Sequence, residues 1–129
     1  MKKILISIVF IILGFIPIQA QIYYYKAFQF SCKETYGSWI DWQPTDILIT
    51  INLSSDVVNI YSNKTQIYKI VKYVKNYTDT SGGRQIEFKF IDQDYDRGTM
   101  RLRTETNGNS QMYIDFANVM WVYNLVRIR

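Results

Sequence analysis

The chain of 129 residues contains no histidine, a single cysteine (Cys32), two prolines and six glycines. Without histidine, every nucleophile activated by an imidazole base is excluded, and so is every zinc site that uses one. One cysteine can neither build a thiolate cluster nor close an internal disulfide, so a folded domain must be held by its core alone. Cys32 reads as a small hydrophobe in a strand. Glycine carries no nucleotide-binding signature: Gly82-Gly83 stands alone in turn-like sequence, without a phosphate-binding loop or dinucleotide fingerprint around it.

The long apolar run is confined to the start. Lys2 and Lys3 precede an apolar stretch from Ile4 to Ile16, Pro17 follows, and Ala20 offers a small residue before a cut. That is the layout of a secretory signal, with an apolar part too short to span a bilayer comfortably. Residues 1–20 are expected to be a signal peptide cleaved after Ala20, leaving 21–129 as one exported domain, periplasmic or extracellular, without stable membrane insertion. Cys32 lies too far beyond the run, behind Tyr23-Tyr24-Tyr25-Lys26, to be a lipoprotein's modified cysteine. Charge is also modest. Fifteen bases and eleven acids give +4, and loss of Lys2 and Lys3 leaves thirteen bases and a net +2. So small an excess, scattered among acids, does not make nucleic acid a partner.

What the chain has in quantity is aromatic residues, 16% of the total with eleven tyrosines. Most fall in β-patterned segments, which predicts an all-β domain. Ile22 to Cys32 reads as a first strand, with Phe28, Phe30 and Cys32 on one face and Gln29 and Ser31 on the other. Lys33 to Thr45, with Gly37 and Pro44, reads as a long loop with room for a short bridge near Trp39. Asp46 to Leu53 alternates cleanly and points Ile47, Ile49, Ile51 and Leu53 at the core. Ser54-Ser55-Asp56 turns the chain into Val57 to Tyr61.

Gln66 to Val74 fits two periods. Ile67, Ile70, Val71 and Val74 lie at helix spacing, but the tyrosine and β-branched content favours a strand. Turn residues at Thr78 to Arg84, Asp92 to Gly98 and Asn107-Gly108 separate the alternations Ile86/Phe88/Phe90, Met100/Leu102 and Met112/Ile114/Phe116, and Met120 to Ile128 closes the series. About eight antiparallel strands joined by short turns predict a small up-and-down barrel or a two-sheet sandwich. Several of these segments fall short of the ~9–11 residues with which a strand crosses a membrane.

Four residues form the favoured candidate ligand site: Tyr36, Trp39, Asp41 and Trp42. Rings on a long loop at a barrel mouth can stack on sugar faces or cover an apolar ligand, with Asp41 or Gln43 supplying hydrogen bonds; the alternative is a loop that plugs the barrel end. Asp92, Asp94 and Asp96 alternate as at the start of an EF-hand, but Arg97 stands where that loop needs glycine and Arg103 where it needs glutamate, so an ordinary acidic turn is expected and no metal or other cofactor is assigned. Lys64, Lys69, Lys72 and Lys75, interleaved with Tyr68, Tyr73 and Tyr77, read as a solvated strand face rather than a nucleic-acid surface. Asp41, Asp46 and Asp115 are the acids nearest aromatic residues or strand ends; they read as solvated turn acids, since carboxylate catalysis requires two of them across a cleft.

The order Trp39-x-x-Trp42-x-Pro44-x-Asp46, Ile60-Tyr61-Ser62, Gln66-x-Tyr68-x-Ile70, Gln111-Met112-Tyr113-Ile114 and Trp121-Val122-Tyr123-Asn124 resembles the small exported β-rich proteins of unknown function common in Bacteroidetes. The resemblance implies an exported β domain and no catalytic residue. The expected role is that of a non-enzymatic binding or interaction module at the cell envelope with a protein or glycan partner; the alternative is a small carboxylate-dependent hydrolase acting on glycans. Sequencing the N-terminus of the secreted protein should begin at Gln21, and a retained Met1 overturns the cleavage.

Overall fold

The alternating segments form eight antiparallel strands, and the last pairs with the first. A computed structural model describes residues 22–128, with β1 (Ile22–Glu34), β2 (Gln43–Asn52), β3 (Val57–Tyr61), β4 (Gln66–Thr78), β5 (Arg84–Ile91), β6 (Arg97–Thr104), β7 (Asn109–Asp115) and β8 (Val119–Arg127). Each strand pairs with its neighbour in sequence, and β1 pairs with β8 from Tyr25↔Arg127 to Glu34↔Val119, so the sheet is a closed barrel and not a sandwich. The expected signal segment lies outside the described residues.

The interior is filled by one face of every strand. Ile49 and Ile51 of β2, Val58 and Ile60 of β3, Phe88 and Phe90 of β5, Met100 of β6, Met112 and Ile114 of β7 and Leu125 of β8 are all at most 2% exposed. Removing side chains of this size from water stabilises the fold by ~1.5–3 kcal/mol each, less on a more compact unfolded reference. Ile47 and Leu53 pack against this core from the two ends of the β2 row.

Two strands depart from strict alternation, and both departures correct the pattern read from sequence. In β1 the register shifts between Ala27 and Gln29. One extra residue there reverses the faces: Tyr25 and Ala27 are buried before the bulge and Phe30 packs on the core after it, while Phe28 is turned out. Phe28 therefore does not share the inner face with Phe30. In β4 the register shifts twice, between Ile70 and Lys72 and between Tyr73 and Lys75. The bulged residues Val71 and Val74 are exposed. Tyr68, Ile70, Tyr73 and Asn76 are thereby kept on the inner side, where Tyr73 pairs with Phe88 and Asn76 with Ile86. The segment is a strand, and the helix-like spacing of its apolar residues arises from these insertions.

The barrel ends differ. At the end where β4 begins and β7 finishes, Phe116 sits edge-on to Phe90 (5.2 Å between ring centroids) and Trp121 (5.5 Å), and Tyr68 meets Phe90 at 4.9 Å. These four rings seal that end. Gly98 makes room for them, because a Cβ there would lie 2.4 Å from Phe90 Cζ and 2.4 Å from the Asp115 carbonyl oxygen. Gly98→Ala should destabilise the protein by ~1–3 kcal/mol through overpacking against ring and backbone, measured as a lower urea midpoint at unchanged m-value.

Candidate functional site

The end opposite the aromatic seal is open. A cavity of about 210 Å³ enters the barrel there, between the start of β1 and the far half of β4. Its apolar lining is made by Ile51, Leu53, Ile86, Phe88 and Leu102, and Tyr23, Tyr25, Tyr73, Asn76 and Thr104 add polar groups to it. Arg84, the first residue of β5, and Arg127, the last of β8, complete the lining. Among the described residues, no aspartate or glutamate lines it.

Local structure explains how these groups come to one place. The inward parity of Ile86 and Phe88 continues back to Arg84, and that of Tyr123 and Leu125 continues on to Arg127. Two bases thus occupy inward positions at a rim, where the charge stays near water while the stem covers apolar surface. The Arg127 guanidinium lies 4.6 Å from the Tyr23 ring centroid, a cation–π contact. Arg84 donates from Nε to Asn76 Oδ1 (3.1 Å). Burial pushes the Tyr25 phenol above its usual pKa, and the charges of Arg127 and Arg84 pull the other way, which puts both cations within electrostatic reach of its hydroxyl.

Tyr73 binds the open rim to the β2–β3 turn. Its hydroxyl donates to Asp56 Oδ1 (3.0 Å), and the Ile70 amide donates to the Asp56 carbonyl (2.8 Å). Asp56 itself has φ of 57°, a left-handed turn position that aspartate tolerates. Burial and this hydrogen bond push the Tyr73 phenol up to about 12.

The Tyr36, Trp39, Asp41 and Trp42 loop lies elsewhere. Ser31 Oγ donates to the Ile40 carbonyl (2.7 Å) and the Ile40 amide donates to the Cys32 carbonyl (3.1 Å), fastening the connection alongside β1. Trp39, Ile40 and Trp42 border a hollow with Ser31, Tyr113 and Val122, residues on the outward faces of β1, β7 and β8. Trp39 meets the Tyr113 ring edge-on at 6.4 Å, with Lys33 Nζ 5.1 Å from the Trp39 ring. The loop therefore dresses the outer wall; it neither plugs the barrel nor stands at its open mouth, and no strand bridge forms at Trp39. Trp39 and Trp42 remain 40% and 44% exposed, Tyr36 is fully exposed, and the backbone carbonyl of Asp41 is capped by Gln43 Nε2 at 3.0 Å.

The remaining candidates are also placed. Asp92 Oδ1 accepts the amides of Asp94 (2.9 Å) and Asp96 (2.8 Å), so this carboxylate caps its own turn. Asp46 pairs with Lys26 at 3.2 Å on the outer wall, and Asp115 sits at the sealed end, where burial raises its pKa against the lowering effect of Arg101 and Lys33. The lysine and tyrosine interleaving of β4 separates in space: Lys69, Lys72 and Lys75 are exposed, whereas Tyr68 faces the core and Tyr73 lines the mouth. On the outer wall, Gln111 Nε2 donates to Asn124 Oδ1 (2.9 Å) and Asn124 Nδ2 to Gln29 Oε1 (3.0 Å), an amide ladder whose members satisfy one another.

Tyr23, Tyr25, Arg84 and Arg127 are the residues missed in the sequence. The signal that could have found them is a charged or phenolic side chain at the last inward position of a strand, read by carrying the alternation one step past the apolar run.

Tyr73→Phe should cost on the order of 1 kcal/mol at pH 7 through the lost hydrogen bond. Because the folded pKa of about 12 lies above the usual 10, the wild-type contribution is whole below pH 10 and lost as pH rises through 12. Urea unfolding of the two proteins at pH 8 and at rising alkaline pH should show the gap narrowing across that window. Comparison of the chain with known protein families, with curated proteins and with solved structures finds no match in any of the three.

Proposed function

We propose that the protein is an exported, non-enzymatic binding module of the cell envelope that takes a small, largely apolar ligand into the open end of its barrel. One observation carries this reading: a filled barrel with one end sealed by aromatic rings keeps an apolar-walled cavity of about 210 Å³ at the other. Eight-stranded barrels are just wide enough to be filled by side chains or to hold one small ligand. Here most of the interior is filled, and the unfilled part is at the mouth. The volume lies below the roughly 300–1,000 Å³ of sites that enclose drug-sized molecules. At ~30 Å³ for each water-sized group, it admits about seven such groups.

Export is supported by the basic and apolar opening segment, with Lys2 and Lys3 ahead of Ile4 to Ile16. The non-enzymatic part is supported by the lining. A carboxylate-dependent hydrolase needs two acids across its cleft, and this cavity is bordered by arginines, tyrosines and hydrocarbon. The Trp39 loop on the outer wall is a surface for contacts of a different kind and is not part of the cavity.

A series of primary alcohols from butanol to octanol tests the reading. Burial of each added methylene is worth ~0.8 kcal/mol, so affinity measured by calorimetry or tyrosine fluorescence should rise about fourfold per carbon until the cavity is full. Leu53→Trp, which fills the mouth, should weaken octanol binding at least about tenfold with the melting temperature little changed. Absence of saturable binding by any member of the series overturns the proposal.

A further inference from the structure

Arg84 and Arg127 reach the mouth from strands β5 and β8, which are not neighbours in the sheet. Tyr25 and Thr104 belong to the same lining, and Thr104 Oγ1 accepts from Ser110 Oγ at 3.4 Å. Among the described residues that line the cavity, the charged side chains are these two arginines, and the Asp56 carboxylate approaches from outside it through the Tyr73 hydroxyl. The rest of the wall is apolar, with Ile51, Phe88 and Leu102 buried along their strands. The cationic forks thus stand at the rim, on the ends of β5 and β8, and hydrocarbon lies inside.

We infer that the ligand of the open end is an anionic amphiphile, a short hydrocarbon body carrying a carboxylate head, with the body in the cavity and the head held between Arg84 and Arg127. This rests on the apolar-cavity reading and adds the identity of the head group. Three features support a carboxylate. The guanidinium fork matches two carboxylate oxygens in one plane, which an alcohol or an amine cannot satisfy. Both forks are already oriented, Arg127 by the face of Tyr23 and Arg84 by Asn76, so less side-chain freedom is lost when the head docks. The Tyr23 and Tyr25 hydroxyls of the same lining can donate to an anion, the Tyr73 hydroxyl being taken by Asp56, and low local polarity around them strengthens such bonds. The cavity volume of about 210 Å³ sets the length of the body at a medium chain, not a long one.

The test compares three probes of equal chain length, octanoate, 1-octanol and octylamine, by calorimetric titration of the signal-free protein at pH 7 and low salt. Octanoate should bind about tenfold more tightly than octanol, and octylamine more weakly than either, because a charge-assisted pair replaces a neutral contact or a repulsion. Arg84→Gln and Arg127→Gln should each reduce the octanoate preference severalfold, read as the ratio of octanoate to octanol affinity within the same variant, and the double variant should abolish it. Octanol binding also reports that each variant is folded at the mouth. Arg127→Lys, which keeps the charge and loses the fork, should retain only part of the preference. If the three probes bind equally, or if the preference survives in the double variant, the carboxylate inference is overturned while the cavity reading stands. If none of the three binds, the cavity reading falls with it.

Discussion

Everything in this fold depends on the pairing of β1 with β8. Without it the sheet has two open edges and the inward residues of both terminal strands face water. The closing contacts join parts of the chain far apart, as in the Asn124 to Gln29 hydrogen bond, which spans 95 positions. Loop-closure entropy for such a separation is roughly 4 kcal/mol beyond a constant, so the seam cannot form on its own account. Local hairpins have to supply the surface on which it closes, consistent with the successive antiparallel pairs from β1 to β8. Two features then secure the seam: the bulge at Phe28, which lets a thirteen-residue strand bend between two partners, and the amide ladder of Gln29, Asn124 and Gln111 across its outer side.

The parts of the fold legible in sequence are those where alternation is undisturbed. β2 is the clearest case: Ile47, Ile49, Ile51 and Leu53 all point toward the core because nothing interrupts the period between Asp46 and Leu53. Asn107-Gly108 likewise forms a tight connection, with Gly108 at φ of 87°. β1 and β4 were less legible for a common reason, since an inserted residue changes the face of everything after it and leaves no mark in composition. Phe28 looked like a core residue for that reason, and Val71 and Val74 looked like part of a helix stripe.

The candidate site was harder to see than the fold. Aromatic residues on a long loop drew attention to Trp39 and Trp42, yet the hydrogen bonds of Ile40 to Ser31 and Cys32 decide that the loop lies along the wall. Those are tertiary contacts, invisible to spacing. The open end is assembled from six strands, with only one to three residues from each, so no continuous motif could announce it. Its charges come from strand ends, where bases are ordinarily read as solvated punctuation. The seal at the other end needs Gly98, whose missing side chain leaves room for the Phe90 ring that meets Phe116.

The seal made by Tyr68, Phe90, Phe116 and Trp121 also has a kinetic meaning. A barrel with a single doorway admits and releases its occupant along the same path. Traffic through that doorway requires only side chains at the rim to move, on the fast timescale of rotamer changes, and no strand has to part from its neighbour. For a ligand of the kind proposed, residence time would therefore be uncoupled from unfolding: a wall that stays closed for as long as the protein is folded would still let the cavity exchange its content many times over.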